Sequence, residues 1–222
     1  MRTLLFAVFF FLSACASFQE KPTAVDCAGE ASSKRGIVYL HGMDIPEKSA
    51  QELANREIIT RIAKKIGARV AFPRAEAGCP GNPSQICWGW KFDTAELVRL
   101  KQKIASAAES CGAPPGYMVL GFSNGGYAVN RLFEECLLAP ETLVVSVAAG
   151  NRPFKRVGEK QSKLGTCGTL KMIVGTKDHF NNQDTRQYVT ELKSREGKVF
   201  LTEHPGKHEI PEAALLTATS SE

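Results

Sequence analysis

Residues 117–127 carry the strongest chemical signal in the chain. An apolar stretch, Tyr117-Met118-Val119-Leu120, runs into Gly121-Phe122-Ser123-Asn124-Gly125-Gly126 and then into a helical pattern. In this G-x-S-x-G arrangement between a strand and a helix, small residues at 121 and 125 permit a turn tight enough to lift the Ser123 hydroxyl above a sheet. A hydroxyl is a poor nucleophile at neutral pH. Ser123 therefore needs a base to take its proton, an acid to orient that base, and N–H donors for the oxyanion formed when it attacks a carbonyl. Gly175-Thr176-Lys177-Asp178 follows one later apolar run and His204-Pro205-Gly206-Lys207-His208-Glu209 follows the next. Both lie just beyond strand ends, where sites in open parallel sheets assemble. Gly206 supplies the turn that brings an imidazole back over the sheet, which favours His208 as base over His204, too close to its strand end. Asp178 is favoured as the acid over Asp184, which reads as a helix N-cap ahead of Thr185 and Arg186. The first strand ends in Leu40-His41-Gly42-Met43.

Positioning these groups requires a sheet. Short apolar runs at 36–40, 69–72, 117–120, 143–147, 170–174 and 198–201 alternate with amphipathic helical patterns. That alternation predicts an α/β fold: an open, mostly parallel sheet of about six strands with helices on both faces. Ile59, Ile62, Ala63 and Ile66 recur at helical spacing ahead of Gly67, which suits a left-handed helix end. Asp93 with Glu96 makes a capped start for a helix burying Leu97, Leu100, Ile104, Ala107 and Ala108 before Gly112. A third helix is expected from Asn124 through Cys136, a fourth from just after Asp184, and a last one with Pro211 in its first turn. The interval 148–169 is too short for a large cap and holds Arg152, Lys155, Arg156, Lys160 and Lys163, so any lid is small and basic.

The 222 residues fit one domain of ordinary size, with 43% hydrophobic and 23% charged residues excluding disorder and multi-span membrane chains. A net charge of +5, spread without a basic run or aromatic stripe, gives nucleic-acid binding little support. The composition leaves oligomeric state open. Met1-Arg2 and the apolar run 3–12 form a signal peptide, too short to span a bilayer. Of the seven cysteines, six remain for up to three disulfides if Cys15 is modified and the chain is exported to an oxidising compartment. Cys79 and Cys87 flank a short loop. Neighbouring strand starts pair Cys27 with Cys111 and Cys136 with Cys167, with Cys111 to Cys136 as the alternative. No spacing of Cys or His implies a metal, and no cofactor is implied.

Leu12-Ser13-Ala14-Cys15 resembles the bacterial lipobox, in which the cysteine is acylated and becomes the new N-terminus. That resemblance implies residues 1–14 as signal, 15–30 as tether and 31–222 as the folded domain. It also implies a membrane anchor at Cys15 in the cell envelope, with Ala16 in place of an inner-membrane aspartate favouring the outer membrane facing the periplasm. The chain order Ser, Asp, His together with the Ser123 turn and His41-Gly42 resembles the α/β-hydrolase superfamily from Ile37 to about Leu216. That resemblance implies the N–H groups of Met43 and Asn124 as the oxyanion donors, with His41 shaping the loop. Gly121-Phe122-Ser123-Asn124-Gly125-Gly126 is similar to the G-F-S-x-G-G of small carboxylesterases and acyl-protein thioesterases, which carry glutamine where Asn124 stands. Cys87-Trp88-Gly89-Trp90-Lys91-Phe92 is similar to the C-W-x-W-F stretch of polyhydroxybutyrate depolymerase-like and feruloyl esterase-like enzymes, interrupted here by Lys91. The resemblance implies a serine esterase acting on a small-molecule ester of short acyl chain, with Trp88 and Trp90 expected beside the substrate. A thioesterase, lysophospholipase or peptidase would use the same triad, and a binding lipoprotein on a hydrolase fold is the alternative of another class.

Overall fold

Runs of Val, Ile and Leu with alternating faces build the sheet. The structure, a computed structural model, describes residues 25–45, 49–76, 78, 87–91, 93–151 and 167–220. Its elements in chain order are β1 (Asp26–Ala28), β2 (Arg35–Leu40), α1 (Ser49–Ile66), β3 (Ala68–Phe72), α2 (Thr94–Ser110), β4 (Met118–Phe122), α3 (Asn124–Glu134), β5 (Leu143–Val147), β6 (Thr169–Gly175), α4 (Asn182–Ser194), β7 (Lys198–His204) and α5 (Glu212–Ser220). They form an α/β fold around one seven-stranded sheet ordered β1-β3-β2-β4-β5-β6-β7. Every pairing is parallel except β1 with β3.

Alternate side chains of the central strands enter two cores. On one face Val38, Leu40, Val119 and Val144 pack under α2, α3 and α4 through Leu97, Ile104, Leu132, Phe133 and Leu192. On the other, Ile37, Tyr39, Leu120 and Val145 pack under α1 and α5 through Ile59, Ile62 and Leu215. This is the two-sided cover that continuous apolar strands require. Helix ends follow local chemistry. Asp93 accepts a hydrogen bond from the Glu96 N–H at the start of α2, and Gly67, at φ 64°, closes α1.

Four expectations need correction. The sheet has a seventh strand, β1, lying within the stretch read as tether. It is three residues long and largely exposed, so it leaves no hydrophobic signature, and it is held by pairing with β3 and by the Cys27–Cys111 disulfide. Helix α4 starts at Asn182 with Asn181 as its N-cap. Asp184 therefore lies inside its first turn, where its buried carboxylate accepts a hydrogen bond from the Asn151 N–H at 2.9 Å. Helix α3 ends at Glu134, two residues short of Cys136, whose φ of 49° is left-handed. Pro211 precedes α5 instead of opening it, although its carbonyl accepts from the Leu215 N–H.

The paired cysteines are Cys27 with Cys111 and Cys136 with Cys167, at Cα separations of 5.6 and 4.8 Å. Cys87 is also disulfide-bonded. Cys79, Cys15, the signal and tether residues up to 24, and the basic segment 152–166 lie outside the described residues. Among the described residues no helix is long and apolar enough to cross a membrane.

Candidate active site

Strand β2 pairs with β3 on one side and β4 on the other, so the chain's winding reverses direction between β2 and β4. A crevice opens at such a switch point, outside the C-terminal ends of the strands. Ser123 stands there, between the end of β4 and the start of α3, at φ 51° and ψ −114°. A non-glycine residue in that region carries strain of about 1–3 kcal/mol, which the surrounding turn must hold. Gly121 and Gly125 permit the turn: a Cβ on Gly121 would strike the Gly125 carbonyl, and one on Gly125 the Leu40 carbonyl. The Ser123 N–H donates to Val147 O at 2.9 Å, and the Gly125 N–H to His41 O at 3.0 Å. The strained residue is thereby tied to β5 and to the loop after β2.

His208 reaches Ser123 from the loop after β7. Its Nε2 lies 3.0 Å from Ser123 Oγ and its Nδ1 2.8 Å from Asp178 Oδ2. An ionised carboxylate only accepts, so Nδ1–H donates to Asp178 and Nε2 is left to accept from the Ser123 hydroxyl. Burial pushes the Asp178 carboxyl up, but hydrogen bonds from Asn181 and His208 outweigh it and hold the group below its ordinary value. Gln51 on α1 donates to the His208 carbonyl at 3.2 Å, and the Phe122 ring packs against the imidazole at 5.1 Å between centroids. His204 takes no part in this contact. It is buried at the end of β7, where its Nδ1 accepts from the Gly206 N–H at 3.1 Å.

Sequence reasoning missed Asn181 and Tyr127. The Asn181 amide donates to Asp178 Oδ2 at 2.9 Å and Oδ1 at 3.2 Å, while its backbone N–H donates to Oδ1 at 3.1 Å. The Tyr127 hydroxyl, one helical turn beyond Ser123, donates to Asn181 Oδ1 at 2.7 Å. The Asp178-His179-Phe180-Asn181 spacing just before a helix was the available signal; the tyrosine left none.

On the other side of Ser123 the loop after β2 carries Gly42 and Met43. Among the described residues no acceptor takes the N–H of Met43 or Asn124. His41 braces this loop. Desolvation lowers its pKa, its Nδ1 donates to Gly42 O at 2.5 Å, and its Nε2 accepts from the Ala75 N–H at 3.0 Å. Trp90 and Trp88, expected to line the pocket, do not border the cavity beside Ser123. Trp90 is buried, its indole N–H donating to His41 O at 2.9 Å and its backbone N–H to Asn124 Oδ1 at 2.6 Å. Trp88 bridges to Asp44 by two backbone hydrogen bonds and stacks under the Arg74 guanidinium at 4.1 Å. Both tryptophans hold the loop after β2 against the nucleophile turn. The side chain of Asn124 is one of the ties.

The cavity beside Ser123 is small, about 50 Å³, and its walls include Met43, Phe122 and His208 together with Gln51, Glu52 and Asn55 from α1. A larger cleft of about 510 Å³ adjoins it, sharing Asp44 and Glu52. Among the described residues no group of three or more His, Cys, Asp or Glu side chains could hold a metal ion.

Sheet order, switch-point crevice and strained serine turn together define an α/β-hydrolase fold. The solved structures that resemble it agree. A carboxylesterase from Mesorhizobium loti superimposes with a TM-score of 0.63 at 16% identity, covering 86% of this chain and 92% of its own. A Bacillus cereus carboxylesterase gives 0.58 at 15% identity, with 87% and 90% covered. Acyl-protein thioesterase 2 of Zea mays gives 0.58 at 16% identity, with 88% and 96% covered. No protein-family model and no curated protein matches the chain.

Proposed function

We propose that the chain is a serine ester hydrolase that cleaves carboxylic esters of short acyl chains and works at the bacterial envelope, anchored by lipid at Cys15. The observation that carries the reading is the continuous path from Ser123 Oγ to His208 to Asp178, at 3.0 and 2.8 Å, beside two N–H groups that no acceptor among the described residues takes. In the proposed reaction His208 Nε2 takes the Ser123 proton as Oγ attacks the acyl carbonyl, and the Met43 and Asn124 N–H groups hold the oxyanion. Collapse expels the alcohol, which takes the proton from His208 and leaves an acyl-serine. Water, deprotonated by the same imidazole, then releases the acid and restores Ser123. Asp178 keeps the imidazole in the required tautomer throughout.

Short acyl chains are favoured by the small cavity at Ser123 and by the brief interval 148–169. Each methylene left in water forfeits about 0.8 kcal/mol of binding. On p-nitrophenyl esters kcat/KM is expected to peak at short chains. A steady rise to lauryl or palmitoyl esters would overturn this. The anchor reading rests on Leu12-Ser13-Ala14-Cys15 after the apolar run, and the outer-membrane destination on Ala16.

A fluorophosphonate probe tests the reaction class. It is expected to label wild-type protein at Ser123 and to leave Ser123→Ala unlabelled, with His208→Ala inactive and His204→Ala active. No labelling, or labelling elsewhere, would sink the proposal. Matched oxygen esters and thioesters of the same acyl group then decide the leaving group, with the oxygen ester expected to turn over faster.

A further inference from the structure

The wall that α1 gives the cavity is polar, and that is unexpected for a pocket that would receive an acyl or alkyl group. Helix α1 presents Gln51, Glu52 and Asn55, one turn apart on a single face, directly beside Ser123. Glu52 accepts a hydrogen bond from the buried Tyr39 hydroxyl at 3.0 Å through Oε2. Its Oε1 lies 3.6 Å from Arg56 Nε, beyond hydrogen-bond reach. Asn55 is buried against the same cavity. We infer that this face is a specificity subsite for a hydroxyl group placed three or four bonds from the scissile carbonyl carbon, with Glu52 as its principal partner. The inference rests on the ester-hydrolase reading above and names the substrate class for that site.

The chemistry favours a neutral hydroxyl over the two obvious rivals. An alkyl group would cover Glu52 and Asn55 without offering either a hydrogen bond, and a site built for a hydroxyl discriminates strongly against an analogue lacking one. An ammonium would meet the Arg56 guanidinium already set beside Glu52. The cavity of about 50 Å³ admits a hydroxymethyl group and little more, with the rest of the substrate passing into the adjoining cleft past Asp44. Burial raises the Glu52 carboxyl to about 7, against the opposing pull of Tyr39 and Arg56 and with a small push from Asp44. Near neutrality Glu52 therefore both accepts from and donates to a hydroxyl. It is poorly suited to an apolar neighbour in either form.

The hydroxyl could belong to the acid or to the alcohol half, and matched pairs distinguish them. Methyl 3-hydroxypropanoate against methyl butanoate probes the acyl arm; 2-hydroxyethyl acetate against propyl acetate probes the alcohol arm. With full-length protein and the released acid titrated at constant pH, the hydroxylated member of one pair is expected to show at least a tenfold higher kcat/KM. The preference should fall below threefold in Glu52→Leu and survive in part in Glu52→Gln, whose amide still offers an acceptor. A wild-type ratio near one on both pairs overturns the subsite while leaving the esterase intact, and needs no variant to be stable. A ratio unchanged in Glu52→Leu overturns the role of Glu52. Failure to hydrolyse any of the four esters removes the functional reading itself, and this inference with it.

Discussion

Asn181 donates no proton to the reaction, yet most of its hydrogen bonds in the site go to the acid that orients the base. Its amide and backbone N–H groups occupy both Asp178 oxygens, and Tyr127 fixes the amide from behind. Hydrogen bonds to a charged group are worth about 1.5–3 kcal/mol. Asn181→Leu is therefore expected to lower kcat roughly ten- to hundredfold. A purely structural role would scale activity equally at all pH. Here the acid limb of the pH profile should also move up, because the bonds that hold the Asp178 carboxyl down are gone. A profile of unchanged shape would refute the positioning role. Glu52 presents the opposite balance. Its carboxyl ionises near 4.5 in the unfolded chain and near 7 in the folded one, chiefly through burial. Between those values the folded state holds a proton that the unfolded state has lost, so the contribution is most favourable below 4.5 and is lost as pH rises to about 7. The full swing amounts to about 3 kcal/mol. Glu52→Gln cannot titrate, so its stability relative to wild type should climb by up to about 3 kcal/mol between pH 5 and 8 in urea unfolding. A difference independent of pH would contradict this. A side chain that costs the fold stability at neutral pH beside the reacting serine is the pattern of a site residue, since function and stability commonly oppose each other.

Helices α3 and α4 are joined by an ionic latch as well as by their apolar faces. Glu134 at the end of α3 accepts from Arg195 at 2.6 Å and from Arg131 at 2.9 Å, and both guanidinium groups are almost wholly buried. Removing the shared carboxylate leaves Arg131 to Glu135 at 2.6 Å and Arg195 to Glu191 at 4.0 Å, and breaking a buried pair costs about 3–5 kcal/mol. Glu134→Ala is expected to lose that much, read as a lower urea midpoint at unchanged slope. A loss under 1 kcal/mol would mean the latch is solvated. Because α3 carries Ser123 at its start and α4 carries Asn181 as its cap, this latch also sets the spacing of the site. None of it was legible beforehand. Periodicity located β2 to β7 and the five helices because each buries apolar side chains at regular spacing. It missed β1, whose three residues bury almost nothing, and it placed the start of α4 late because Asp184 has the side chain of a cap but spends it on Asn151. The serine turn, His208 and Asp178 were legible because their chemistry sits at strand ends in a fixed order. Asn181, Tyr127 and the Glu52 face were not, because each acts through a contact between distant segments.

At the scale of the whole molecule, the direction of β1 fixes where the tether leaves. Strand β1 runs antiparallel to β3 with Asp26 opposite Phe72, so the chain enters the sheet at the C-terminal ends of the parallel strands, the end that holds Ser123. Asp26 itself borders the cleft adjoining the site and pairs with Arg56 at 3.0 Å. The entry point is pinned, since Cys27 is bonded to Cys111 at the end of α2. Only ten residues separate Cys15 from Asp26, a reach of at most about 35 Å when fully extended. A lipid on Cys15 would therefore hold the crevice end of the domain close to the bilayer surface, while the folded domain stands apart from the anchor. The two functions should separate cleanly. Mass spectrometry of membrane-derived protein is expected to find a diacylglycerol-modified Cys15 as the first residue. Cys15→Ser with a cleavable export signal should move the protein to the soluble periplasmic fraction, with kcat/KM on a water-soluble short-chain ester within about twofold of wild type. The twofold limit follows from the proposed anchor: on that reading Cys15 serves the membrane and not the site, so its loss moves the protein without altering the chemistry. An unmodified chain starting elsewhere would reject the anchor. A large loss of activity on the soluble ester would show that the tether takes part in the site.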